Sequence, residues 1–179
     1  MSRKTYRVNA LRIVQIRFLA DFFRKKFGVD ELALGTVIER MLEDGVVDVL
    51  EDNDPFFKNR AEAKYVPEAG CVFLKRSDYE ACVRNTVARS KFTFWHELGH
   101  MCLGHSLSFS RGEGIEGSEI KAFESSEWQA DQFAAEILMP LETMIKEKIF
   151  TVEGLVNRFE VSWEAASVRI RQLQRHGSI

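Results

Sequence analysis

His96, Glu97 and His100 take the first, second and fifth positions of HELGH, within the stretch KFTFWHELGHMCLGH at residues 91–105. On an α-helix, residues four apart share a face. Both imidazoles can therefore reach one ion at about 2.0–2.1 Å, with Glu97 beside it. A metal held by three protein ligands keeps its fourth position for water and can lower that water's pKa to about 7; a neighbouring carboxylate can then take the proton. These residues at this spacing point to metal-assisted hydrolysis with Glu97 as the base. The competing reading is a helix whose histidines only cap or solvate, because the pattern also arises by chance.

A third ligand has two candidates. The pattern HExxHxxGxxH would need Gly at 103 and His at 106, where this chain has Leu103 and Ser106. In a continuing helix His105 lies about 180° around from His96 and faces away, as a C-terminal histidine beside the carbonyl ends. The second candidate is in SSEWQADQFAAEILMP. Ser126 and Gln129 form a possible capping box, and the helix they open should run to Pro140. Glu127 and Asp131 then share a face, while the small Ala130, Ala134 and Ala135 let this helix approach the HELGH helix closely. Glu127 is expected as the third ligand. Asp131 is expected to accept from a ligand imidazole N–H and so fix its tautomer. The alternative is an amphipathic helix whose two acids face solvent.

Other elements must hold these two helices. Leu11, Val14, Phe18, Leu19, Phe22 and Phe23 recur at helical spacing, which predicts a helix from about residue 8 to 27, ending near Gly28. A second helix is expected after a cap at Asp30, with Leu34, Val37, Ile38, Met41 and Leu42 on one face and a stop at Gly45. VVDVLE reads as a strand, and AEAKYV and CVFLKR as a hairpin around residues 67–70. CVFLK, residues 71–75, is the candidate edge strand on which an extended peptide could lie; its nearly unbroken apolar run argues instead for an interior strand. Residues 106–123 read as a surface loop or a flap. The expected fold class is α+β: a mainly helical domain with a small sheet beside the HELGH helix.

Composition limits what the site belongs to. With 179 residues, 45% of them hydrophobic, the chain can bury one sizeable core. The 25 Lys and Arg against 27 Asp and Glu give a net charge of -2, which supplies no general attraction to nucleic acid or an anionic membrane. Cys71, Cys82 and Cys102 lack CxxC spacing, which points to a reducing, cytoplasmic compartment. The N-terminus fits neither a signal peptide nor a membrane span.

KFTFWHELGHMCLGH, EWQADQFAAEILMP and LVNRFEVSWEAASVRIRQL together resemble the ImmA/IrrE family of metallopeptidases, over roughly the last two thirds of the chain. The resemblance implies Zn2+ held by His96, His100 and Glu127, catalytic Glu97, and a helix-turn-helix repressor of a mobile element or stress response as protein substrate. Phe94 and Trp95 depart from the family's smaller residues before the first histidine. The chain also leaves no room for the sensor domain of some members, so the activating signal is expected from elsewhere.

Residues 1–150 are expected to form the zincin-like domain, and residues 151–179 a helical segment packed on it. Thr151 and Ser162 are candidate caps of two short helices resembling a helix-turn-helix. Arg169, Arg171 and Arg175 on the second would serve DNA phosphates or form a solvated face, with Val161, Val168, Ile170 and Leu173 docking on the domain. Cys102 is expected as a small core residue. The functional expectation is a zinc endopeptidase acting on a cytosolic regulator. The rivals are a metal-containing binding module without catalysis and a DNA-binding regulator.

Overall fold

The computed structural model describes residues 5–30, 32–57, 63–105 and 120–179. Helix α1, Ile13–Phe27, ends where Gly28 turns left-handed at φ 65° and returns its N–H to the Arg24 carbonyl. Its buried side carries Ile16, Ala20 and Phe23, while Val14, Phe18 and Phe22 are exposed, Phe18 at 69%. The apolar spacing therefore gave the helix but mixed two faces. Helix α2, Leu34–Glu43, buries Val37, Ile38 and Met41 as expected. Its cap is Ala33 rather than Asp30, whose carboxylate pairs with the Arg24 guanidinium instead.

Strands β1 (Val47–Leu50), β2 (Ala63–Val66) and β3 (Cys71–Lys75) form a sheet of order β1-β3-β2. β1 runs parallel to β3, and β2 antiparallel to it, with Tyr65 opposite Val72. The turn between β2 and β3 closes at Gly70, where φ is 62°. CVFLK is thus the interior strand and not the edge. The flanking strands carry the charges, Asp48 in β1 and Lys64 in β2, as strands at a sheet edge usually do.

β3 leads into α3, Arg76–Val83, and then α4, Ala88–Cys102, which carries HELGH. Helix α5, Ser126–Leu138, lies against α4. Phe94, Trp95 and Leu98 meet Phe133, Ala134 and Ile137 in the main core, and Phe23 of α1 contacts both Trp95 and Phe133 edge-on. A Cβ on Gly99 would stand 3.2 Å from the Ala130 Cα and 3.2 Å from Phe133 Cδ1, so a residue without a side chain sets the helix separation. The cap of α5 is Ser125, whose Oγ accepts from the Trp128 N–H; Ser126 and Gln129 do not form the expected box. Ser126 Oγ instead accepts from the Tyr6 N–H, one of several bonds by which the extended N-terminal segment crosses the start of α5.

Pro140 separates α5 from α6, Leu141–Glu147. Helices α7, Val152–Phe159, and α8, Trp163–Arg175, have Thr151 and Ser162 as side-chain caps, as expected. Leu155, Val161, Ala166, Ile170 and Leu173 pack on Ala135, Met139, Leu141 and Met144 in a second apolar cluster, whereas Val168 is exposed. Arg169 is neither solvated nor positioned for phosphates. It is 1% exposed and reaches Glu136 at 2.7 Å and the Met139 carbonyl at 2.9 Å. Among the described residues, no helix is long and apolar enough to cross a membrane.

Candidate metal centre

Helix α4 presents His96 and His100 from one face, both buried, and α5 brings Glu127 across to them. The two Nε2 atoms are 3.1 Å apart. Glu127 Oε2 lies 3.3 Å from His96 Nε2, and its Oε1 3.3 Å from His100 Nε2. Ligands about 2.0–2.1 Å from a tetrahedral ion stand about 3.3–3.4 Å from each other. The three side chains thus fit one metal ion, and they form the one such cluster among the described residues.

The surroundings suit a cation. His96 Nδ1 lies 2.8 Å from Asp131 Oδ1, and since a carboxylate only accepts, Nδ1 carries the hydrogen and the neutral ring presents a lone pair at Nε2. Burial opposes the charge of Glu127, but His100 and His96, when their rings are protonated and donate to it, outweigh that and hold the carboxyl well below the usual carboxylate range. A cation in the place of those ring protons acts in the same direction.

Glu97 points to the sheet side of α4, where its Oε2 accepts the backbone N–H of Tyr65 at 2.8 Å. That bond leaves the outer side of β2, because in the antiparallel pair successive N–H groups point alternately toward and away from β3. A groove of about 500 Å³ runs beside Asp131, bordered by Thr93, Ala135, Ala165 and Val168.

His105 does not face away. Helix α4 stops at Cys102, and Gly104 at φ 69° turns the chain back so that the His105 N–H meets the His100 carbonyl. The ring is buried with Nδ1 2.8 Å from His100 Nδ1 and Nε2 3.0 Å from Gln129 Oε1. It touches a member of the cluster without joining it. Burial first, then the neighbouring His100, pushes its pKa down to about 4, so the ring is neutral. The dipeptide Gly104-His105 carried the signal, since glycine just past a helix commonly takes the left-handed turn. Gln129 and Tyr65 were also missed as partners of the site. Cys102 is partly buried against the core, and its thiol is pushed up to about 12 by burial. Of residues 106–123, expected as loop or flap, 106–119 lie outside the described residues.

The helix pair offers two histidines and a glutamate to one point, a cluster that could hold a metal ion. Residues 58–171 match the family model of the IrrE N-terminal-like domain, and the chain belongs to this ImmA/IrrE metallopeptidase family. No curated protein sequence matches the chain significantly.

Proposed function

We propose that this chain is a zinc-dependent endopeptidase whose ligands are His96, His100 and Glu127, with Glu97 as general base and Asp131 orienting His96. The observation that carries this reading is the triangle of 3.1, 3.3 and 3.3 Å between ligand atoms, with Glu97 next to His96 in the chain. Two imidazoles and one carboxylate are an ordinary donor set for catalytic zinc, which supplies Lewis acidity that acidifies water and polarises a carbonyl. The Tyr65 N–H holds Oε2 of Glu97, leaving Oε1 to take a proton from water and return it to the departing amine.

A protein substrate must pass this point in extended form. The outer side of β2, which faces Glu97, is the template for it, because main-chain hydrogen bonds hold a peptide of any sequence. Side chains of the substrate would be sorted in the groove beside Asp131. Residues 151–179 belong to the same unit, supported by the buried contact of Arg169 with Glu136.

The substrate proposed is a helix-turn-helix repressor, as the resemblance of the paired motifs implies; family membership itself supports a protein substrate. Three free cysteines, two of them buried, favour a cytoplasmic protein. DNA binding through α8 loses support with Arg169 buried and a net charge of -2. The test is to incubate the zinc-loaded protein with the repressor encoded beside its gene and to weigh the products by mass spectrometry. One new terminus, absent with a chelator, is the expected result. An intact repressor overturns the substrate assignment.

A further inference from the structure

His100 Nδ1 is as tightly placed as that of His96, but among the described residues no carboxylate meets it. It meets His105, and His105 meets Gln129. We propose that this neutral chain, Gln129 to His105 to His100, fixes the tautomer of His100 so that its Nε2 offers a lone pair to the metal. The proposal rests on the reading above only in taking His100 as a ligand.

The chain can be followed atom by atom from its far end. Gln129 is fully buried, and its amide nitrogen lies 2.8 Å from the Asn9 carbonyl and 2.8 Å from the Phe123 carbonyl. Both are backbone oxygens that can only accept, so the nitrogen end must face them and the amide cannot flip. Its Oε1 is thereby turned to His105 and accepts from Nε2–H. A neutral imidazole carries one hydrogen, so His105 Nδ1 is bare. It can only accept, and the group that meets it at 2.8 Å is His100 Nδ1, which must then carry the hydrogen. His100, donating there, has its lone pair on Nε2, the atom that points at His96 and Glu127.

The opposite arrangement is self-defeating. A reversed His105 would place an N–H against His100 Nδ1 and move the His100 hydrogen to Nε2, into the centre of the cluster. It would also set a bare nitrogen against the bare amide oxygen of Gln129. The two ligand histidines are therefore set by different devices. His96 has a carboxylate that is 44% exposed; His100 has a buried relay of uncharged groups. His105 and Gln129 are positioning residues, since neither reaches the cluster itself.

The test reads tautomers and metal affinity, not turnover. Long-range proton–nitrogen NMR spectra of the histidine-labelled full chain should show His105 protonated at Nε2, both metal-free and zinc-loaded. An Nδ1-protonated His105 overturns the relay. Zinc affinity, measured by chelator competition, should fall about 10 to 100-fold in His105→Phe, which fills the space but accepts nothing. His105→Asn, whose Oδ1 can take the place of Nδ1, should stay close to wild type. If the role is packing alone, the smaller Asn should lose as much as Phe or more, and that outcome overturns the proposal, as does unchanged affinity in His105→Phe. Should either variant fail to fold, the wild-type tautomer decides. A wild-type chain that binds no zinc sinks the metallopeptidase reading, while the metal-free tautomer still tests the relay.

Discussion

The backbone N–H of Tyr65 donates to Glu97 Oε2 across 2.8 Å, so an edge strand of the sheet holds the carboxylate of the HELGH helix by a main-chain bond. This bond makes Glu97→Gln an informative variant. The amide oxygen can still accept from Tyr65, so fold and metal content should survive. Loss of the proton acceptor should lower cleavage by about 10² to 10⁴-fold. Peptide turnover beside zinc analysis checks it, and undiminished turnover removes Glu97 from the mechanism.

Glu127 and Asp131 lie one helical turn apart on α5 and should fail differently. Glu127→Ala removes a ligand and should leave the purified protein without stoichiometric zinc. Asp131→Ala keeps all three ligands but frees the His96 ring, which should cost about 10 to 100-fold in affinity. Metal analysis after dialysis separates them. Zinc retained by Glu127→Ala shows that the third ligand lies elsewhere.

The sheet order makes a paired prediction with proline. At Phe73, in the middle of central β3, proline removes a ladder bond and should unfold the domain. Ala63 of β2 lies two residues from Tyr65, so its N–H points outward as well, and Ala63→Pro spares the ladder. Circular dichroism should show Ala63→Pro folded, with zinc retained and cleavage of the protein substrate reduced. Full cleavage by a folded Ala63→Pro speaks against β2 as the template.

Gly99 tests how closely α4 and α5 must meet. In Gly99→Ala the new methyl stands 3.2 Å from a backbone atom of Ala130, which cannot swing aside. The crowding should cost about 1–3 kcal/mol, partly offset by about 1 kcal/mol of helix propensity. The larger Gly99→Val should push α5 outward, taking Glu127 with it. Denaturant titrations and zinc affinity read the two effects, and a Gly99→Val protein with native affinity shows that the separation is not critical.

Arg169 joins α8 to α5 directly, through Glu136 and the Met139 carbonyl. Arg169→Met leaves Glu136 buried with Arg17 at 3.1 Å as its remaining cation, and should lower stability by about 3 kcal/mol. Replacing Glu136 with Leu at the same time should recover much of that loss. If the single variant melts like wild type, the C-terminal helices are not coupled to the site helix through this pair.

The pairing of His96 with His100 on α4, and of Glu127 with Asp131 on α5, was legible because each rests on spacing along one helix; the meeting of the two helices was signalled only by the small residues of α5 and by the resemblance. His105 was not, because its position depends on where α4 stops and on a left-handed Gly104. The strand order was half legible: charges in β1 and β2 and their absence from the middle of β3 indicated which strand is central. Burial of Arg169 and exposure of Phe18 could not be read locally, since each depends on which element packs opposite.

The hydrogen bond from Gln129 to the Asn9 carbonyl reaches a residue 49 positions before the family match begins at residue 58. A fragment excised at that boundary would keep every ligand and the base, yet lose one of the two oxygens that keep the Gln129 amide from turning over. It would also lose Phe23 from behind Trp95. Poor zinc uptake by such a truncation, measured against the full chain, would therefore mark a lost scaffold and not a wrongly assigned ligand.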